Sequence, residues 1–155
     1  MGVCGSGKTT VGEALAAAVN CVFLDADDFH PPENVAKMAS GQPLTDDDRW
    51  PWLDRIAREL REILARGEHA VLACSALKQA YRERLERAGD VRIVYLKGDE
   101  AIIAARLAAR QHAYMPPSLL PSQLAALEEP TDALVVDIRE PVDAQVQRIR
   151  EAFSL

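Results

Sequence analysis

The sequence predicts an α/β domain, a parallel sheet with helices on both faces. Three observations carry that prediction. Short apolar runs alternate with amphipathic segments along the 155 residues, the order that strand–helix–strand crossovers require. The glycine-rich run Gly2-Val3-Cys4-Gly5-Ser6-Gly7-Lys8-Thr9 passes directly into helix-forming sequence. The run Cys21-Val22-Phe23-Leu24 ends in Asp25, the pattern of a strand buried on both faces with a functional group at its carboxyl end.

The elements follow in order. A helix over 9–19 places Val11, Leu15, Ala18 and Val19 on one face, and a strand over 21–25 comes next. A proline-containing loop leads to a short helix over 33–39, stopped near Gly41. Pro51 is expected to open a longer helix to residue 66, with Leu53, Ile56, Ala57, Leu60, Ile63 and Leu64 as its apolar stripe and Gly67 as its C-cap. Strands are expected over 69–74, 91–96 and 133–138. Helices are expected through Tyr81 and Leu85, and over 99–110, 122–127 and 141–153. A Pro-rich stretch, 115–121, interrupts the alternation. One domain over 1–155 accounts for all of it.

Composition narrows the function classes. Apolar residues at 48% with charged residues at 27% give a chain that can bury a core. A formal charge of −6 argues against a nucleic-acid or anionic-membrane surface, so any phosphate site must be built locally. Cys4, Cys21 and Cys74 make neither a metal spacing nor a disulfide framework. No run is apolar for long enough to span a bilayer and no secretory signal is seen, so the expected compartment is the cytoplasm.

The run Gly2–Thr9 fits G-x-x-x-x-G-K-[ST], in which glycines let backbone N–H groups turn toward phosphate oxygens. Gly2, Gly5, Ser6, Gly7, Lys8, Thr9 and Thr10 are therefore candidate nucleotide ligands, Lys8 reaching the outer phosphates and Thr9 a Mg²⁺ ion. Cys4 either carries an activated thiol or is simply small enough for the turn. Strand alternation would point Asp25 and Asp27 the same way. Asp25 is then a candidate for the metal shell and Asp27 for receiving or orienting an attacking hydroxyl. A solvated acidic turn is the competing reading, and His30 either contacts substrate or packs its loop.

Arg49 sits within Leu44-Thr45-Asp46-Asp47-Asp48-Arg49-Trp50-Pro51-Trp52. It either holds a substrate carboxylate through paired N–H donors or bridges to Asp46–Asp48. Thr45 and Asp48 have capping-box spacing. Lys78 and Arg82 lie one helical turn apart, so both could face one anion or form a solvated face. Arg106 and Arg110 repeat that spacing before the Pro-rich stretch. They could close on phosphates from the base of a mobile lid, about residues 111–125, or be plain surface residues.

Taken together, GVCGSGKTT, FLDADDFHPPENVAKMASGQPLTDDDRWPWL, ACSALKQAYRERL and MPPSLLPSQLAALEEP resemble the gluconokinases, small P-loop carbohydrate kinases related to shikimate kinase. The resemblance spans nearly the whole chain. It implies a P-loop NTPase-type fold of five parallel strands with a mobile lid. The implied reaction is transfer of the γ-phosphate of ATP to the 6-hydroxyl of D-gluconate with Mg²⁺, by an enzyme that forms homodimers. Position by position it implies ATP and Mg²⁺ at Gly5, Gly7, Lys8 and Thr9, and the acceptor hydroxyl at Asp27. Gluconate would lie among Arg49, Lys78 and Arg82, with Arg106 and Arg110 serving the lid and the loop after Asp137 near adenine.

Two departures stand out. The lid usually reads Arg-x-Gly-His-Phe-Met-Pro, whereas Arg110-Gln111-His112-Ala113-Tyr114-Met115-Pro116 displaces the histidine and lacks the permissive glycine. The resemblance also implies a central strand ahead of the phosphate loop, where only Met1 is written. Five buried Val or Ile side chains are worth around 10 kcal/mol, comparable to a domain's whole stability of about 5–15 kcal/mol. Two other readings therefore stand beside the kinase of gluconate. One is a kinase of another small hydroxy acid such as shikimate, and the other a truncated, non-catalytic nucleotide-binding fragment.

Overall fold

The computed structural model describes residues 1–109 and 117–155. The helices are α1 (Lys8–Val19), α2 (Pro32–Ala39), α3 (Asp46–Ala65), α4 (Gln79–Glu86), α5 (Glu100–Ala109), α6 (Leu120–Ala126) and α7 (Val142–Phe153). They alternate with four strands, β1 (Val22–Asp25), β2 (Ala70–Ala73), β3 (Val94–Lys97) and β4 (Leu134–Asp137). Single 3₁₀ turns occupy Ala26–Phe29 and Pro117–Leu119. No described helix is long and apolar enough to cross a membrane.

Every strand pairing is parallel, as expected. β1 runs beside β2 with Val22 opposite Ala70, and β3 beside β4 with Val94 opposite Leu134. Among the described residues the five-stranded sheet is not formed. The strands form two separate pairs, and no described hydrogen bond joins β2 to β3. Met1 and Gly2 bridge the interval instead. The Met1 carbonyl accepts from the Leu96 N–H at 3.0 Å, its amino group donates to the Val94 carbonyl, and the Gly2 N–H donates to the Ser75 carbonyl at 3.2 Å.

The two larger apolar cores lie on opposite faces, and a third, smaller cluster joins Met38, Leu44 and Leu119. One gathers Val11, Leu15, Leu96, Val136 and Ile149 from α1, α7 and the β3–β4 pair. The other gathers Trp52, Leu53, Ile56, Cys74 and Leu85 from α3, α4 and the end of β2.

The largest boundary difference is at α3, which begins at Asp46 rather than at Pro51. The reason is local. The Thr45 hydroxyl accepts from the Asp48 N–H at 3.2 Å and the Asp48 carboxylate accepts from the Thr45 N–H at 2.7 Å, a complete capping box. Pro51 accordingly sits inside the helix, as its sixth residue.

Candidate active site

The phosphate loop is shaped by its glycines. Gly5 and Gly7 have φ of 79° and 94°, values that a side chain resists. A Cβ on Gly5 would also lie 2.8 Å from Leu107 Cγ of α5. Gly7 is the N-cap of α1 and supplies no side-chain cap, and no acidic residue stands in the helix's first turn. The first-turn N–H groups are thus left to an external anion. Ser6 is buried, with a side-chain oxygen that has no hydrogen-bond partner among the described residues. Thr10 is exposed on the third position after the cap.

Lys8 turns back over the loop and donates to the Val3 carbonyl at 3.0 Å. Withdrawal from water lowers its pKa, opposed chiefly by Asp27, with Cys4, Cys74 and Asp25 helping. The Thr9 hydroxyl donates to Asp25 Oδ2 at 2.9 Å. This joins the first turn of α1 to the carboxyl end of β1. A hydroxyl and a carboxylate are the hard oxygen donors that Mg²⁺ takes while keeping several waters, so the pair fits that ion. Among the described residues no group of three or more His, Cys, Asp or Glu forms a denser metal site.

Asp27 reaches the same place by a different route from strand alternation. β1 ends at Asp25, whose Oδ1 accepts from the Asp27 N–H at 3.0 Å and caps the 3₁₀ turn. Trp52 of α3 holds that turn by donating from Nε1 to the Ala26 carbonyl at 2.7 Å. Burial, then the adjacent Asp25, raises the Asp27 pKa, while Lys8 opposes the rise. Its carboxyl is nonetheless 46% exposed, so it has access to a substrate.

His30 packs its ring on Trp52 with centroids 4.3 Å apart. Burial, with Arg49 nearby, lowers its pKa to about 4, so it is neutral at pH 7. Asn34 Nδ2 donates to the Asp48 carbonyl at 2.9 Å, which fixes the amide's orientation, and lies 3.4 Å from His30 Nδ1. Nδ1 is therefore the acceptor, and Nε2–H faces Asp27 Oδ1 at 4.0 Å.

The opposite wall carries the cations. Arg49 does not bridge to Asp46–Asp48. It donates to the Leu44 carbonyl, reaches the Tyr81 hydroxyl at 3.4 Å and lies over the Tyr81 ring. Lys78 pairs with both Asp46 oxygens at 2.8 and 2.9 Å, and the Tyr81 hydroxyl donates to the same carboxylate. The joint placement of Lys78 and Arg82 toward one anion is not found. Arg82 is 2% exposed. Its guanidinium turns into the β2–α4 connection, donating to the Ala76 and Leu77 carbonyls at 3.1 Å each and to Gln79 Oε1 at 2.8 Å. Those carbonyls, buried behind α4, need its donors more than an exposed anion does.

Arg106 of α5 donates to the Ile138 carbonyl at 2.7 Å. Its Nη1 stands 4.0 Å from where a Gly7 Cβ would be, beside the phosphate loop. Arg110, His112 and the first part of the expected lid lie outside the described residues. After β4, Arg139 folds back to pair with Asp137 at 2.9 Å.

Between the walls is a cavity of about 30 Å³, bounded by Asp27, His30, Arg49, Ser75, Ser122 and Gln123. Sequence reasoning missed Asp46 and Tyr81, the hub that orients Arg49 and Lys78. It also missed Gln123, whose Oε1 accepts from the Cys4 N–H at 2.7 Å. The DDD run pointed to the first, but nothing local points to Gln123, because its partner lies 119 residues away.

A phosphate loop backed by two carboxylates and faced by a cation-bearing pocket defines a P-loop kinase of small molecules. The AAA domain family model matches residues 1–130. A gluconokinase of Gluconobacter oxydans is 52% identical over 134 residues, covering 85% of this chain and 75% of that protein. The crystal structure of a gluconokinase from Sinorhizobium meliloti superposes with a TM-score of 0.84 at 42% identity, covering 99% of this chain and 93% of the other. An unliganded sugar kinase from a Janibacter species gives a TM-score of 0.94 at 41% identity, with 99% and 91% covered. The chain belongs to the gluconokinase family.

Proposed function

We propose that this chain phosphorylates D-gluconate, with ATP as donor and Mg²⁺ as the metal. The observation that carries the reading is Asp27, a carboxylate of raised pKa set between Lys8 of the phosphate loop and the pocket lined by His30 and Arg49. ATP would lie with its outer phosphates on the first-turn N–H groups of α1 and on Lys8. Thr9 and Asp25 would hold Mg²⁺, which when bound neutralises phosphate charge. Arg106 stands where it can meet charge that develops on the transferred group, and Arg110 is proposed for the same task.

The acceptor's 6-hydroxyl is placed against Asp27. The hydroxyl oxygen forms the new bond to γ-phosphorus as the bond from that phosphorus to the bridging oxygen breaks, and ADP leaves. The hydroxyl proton passes to Asp27. His30 Nε2–H is oriented to donate to the acceptor rather than to take its proton, since the ring is neutral and Nδ1 is engaged. Arg49 and Lys78 are assigned to the gluconate carboxylate and hydroxyls. Arg82 supports this wall through the β2–α4 connection. Leu119, Ser122 and Gln123 line this cavity, and their withdrawal would widen it for the acceptor. Dimerisation belongs to the same proposal and is read from the mass in solution.

The test is an ATP-dependent phosphorylation panel over D-gluconate, other sugar acids, shikimate and nucleosides. Preference for gluconate, with product phosphorylated at the 6-position, is expected. Turnover of shikimate without gluconate would replace this reading with the other hydroxy acid, and nucleotide binding without any turnover would favour a non-catalytic fragment.

A further inference from the structure

A neutral imidazole can carry its proton on either nitrogen, and its ring can flip over with little change in shape. Stacking does not choose between these states. Trp52 fixes only the plane of the His30 ring, with centroids 4.3 Å apart and planes 11° from parallel. Both His30 and Asn34 are buried, so bulk water does not choose either. The choice comes from a chain of groups whose first member has no alternative. The Asp48 carbonyl can only accept, and it takes an N–H of Asn34 Nδ2 at 2.9 Å. The other N–H of that amide nitrogen is then turned to His30 Nδ1, 3.4 Å away. Nδ1 is left as the acceptor and the proton stays on Nε2.

The chain is firmly anchored. Asp48 is the third residue of α3, and its side chain completes the Thr45 capping box. Lys37, one turn beyond Asn34 on α2, reaches the Asp48 carboxylate at 2.6 Å. Helix α2 therefore grips Asp48 twice, once through an amide that also faces His30 and once through an ion pair that does not.

The far side of the ring faces the chemistry. Nε2 and Asp27 Oδ1 are 4.0 Å apart, too far for a direct hydrogen bond. A hydroxyl oxygen about 2.8 Å from each atom closes that gap, accepting from Nε2–H and donating to Oδ1. One of its lone pairs is then taken by His30 and the other remains for the γ-phosphorus. The opposite tautomer cannot do this. Nε2 and Oδ1 would both be acceptors, competing for the one hydroxyl proton.

We propose that Asn34 is a positioning residue for phosphoryl transfer: it holds His30 in the Nε2–H form, so that the acceptor hydroxyl bridges His30 and Asp27 with its proton directed to Asp27. The inference rests on the reading that Asp27 receives the acceptor hydroxyl.

The tautomer is read from two-bond ¹⁵N–¹H correlation spectra of the full chain at neutral pH, without substrate. His30→Phe identifies the His30 signals among the three histidines. Wild type is expected to show a protonated Nε2 and a bare Nδ1. Asn34→Leu removes both N–H donors at nearly constant volume. It should lose that pattern and lower kcat about 10–100-fold, with gluconate KM changed less than kcat. The same substitution on a His30→Phe background, whose ring can still stack on Trp52 but carries no nitrogen, should add no further loss in kcat. Lys37→Met cuts the other tie between α2 and Asp48, and should lower the melting temperature with tautomer and kcat as in wild type.

A bare Nε2 in wild type would overturn the proposal, and so would wild-type kcat in Asn34→Leu. A kcat loss that persists in full on the His30→Phe background, or that Lys37→Met reproduces, would overturn it as well, because Asn34 would then act through the fold alone. If Asn34→Leu does not fold, Asn34→Ala is measured on the same two backgrounds with the same expectations. Failure of the gluconate reading looks different. Wild type would then leave gluconate unphosphorylated, and the tautomer, which needs no substrate, would decide for or against Asn34 by itself.

Discussion

On the phosphate-loop wall of the cleft, Thr9 and Asp25 meet at 2.9 Å and the first turn of α1 is left open to an anion. On the facing wall, Lys78 is held by Asp46 and Arg49 by Leu44 and Tyr81, around a cavity of only about 30 Å³. The donor wall is held by the fold itself. It is made of backbone and of contacts between neighbouring elements, and its geometry follows from glycine conformations. The acceptor wall stores its cations in internal pairs that a substrate anion must take over. The two walls should therefore fail differently, the first in turnover and the second in acceptor affinity.

The sharpest test of that contrast is Lys8→Ala. Removing the ammonium that sits among the loop, Asp25 and Asp27 should cut kcat about 10³-fold or more, with gluconate KM little changed. An equal loss in KM would erase the distinction between the walls. Asp27→Asn follows, with an expected loss of about 10²–10⁴-fold in kcat and nearly normal ATP binding by calorimetry. Asp27 also sets a pH dependence. Its raised pKa means the carboxylate loses its proton at a higher pH than an ordinary aspartate, so the acid limb of kcat/KM should lie above pH 3.8 and vanish from the residual activity of Asp27→Asn. The same sign makes the folded state pay for this carboxylate as pH rises from 3.8 through the raised value.

Next in size is a pair of substitutions on the acceptor wall. Lys78→Met removes a charge-assisted contact worth about 1.5–3 kcal/mol, so KM for gluconate should rise about 10–100-fold. Arg82→Met should leave KM alone and lower stability instead, by about 2–3 kcal/mol, because the Ala76 and Leu77 carbonyls lose their donors. A gluconate-specific KM effect at Arg82 with unchanged melting would restore it to the substrate shell.

What the sequence disclosed follows from how far apart the partners lie. The phosphate loop was legible because its function is encoded in eight contiguous residues whose backbone does the binding. Thr45 and Asp48 were legible as a cap for the same reason, although their helix begins earlier than Pro51 suggested. Asp27 was singled out on an incomplete argument, since a capped 3₁₀ turn and Trp52, rather than strand alternation, hold it where it stands. Lys78 and Arg82 show the limit. Helical spacing puts them on one side of α4, but whether a cation faces solvent or a buried carbonyl depends on residues 76 and 77 as folded. Tyr81 and Gln123 were out of reach because their contacts join segments 35 and 119 residues apart.

The smallest predicted effect tests how firmly the acceptor wall is anchored. Thr45 caps α3, and the next turn carries Asp46 and Arg49. Thr45→Ala should cost about 1 kcal/mol, a fall in melting temperature of about 2–4 °C, and a several-fold rise in gluconate KM at constant kcat. Acid should weaken both forms. Hydrogen bonds from Lys37 and Thr45 lower the Asp48 pKa from 3.8 to about 2, so the stability it contributes is present above 3.8 and is lost as pH falls toward 2. Wild type and Thr45→Ala should accordingly both fall in melting temperature over that interval, since the variant keeps the Lys37 and Thr45 backbone bonds to Asp48. A loss of kcat rather than KM in Thr45→Ala would mean that the helix cap serves the donor wall as well, and the separation between the two walls would no longer hold.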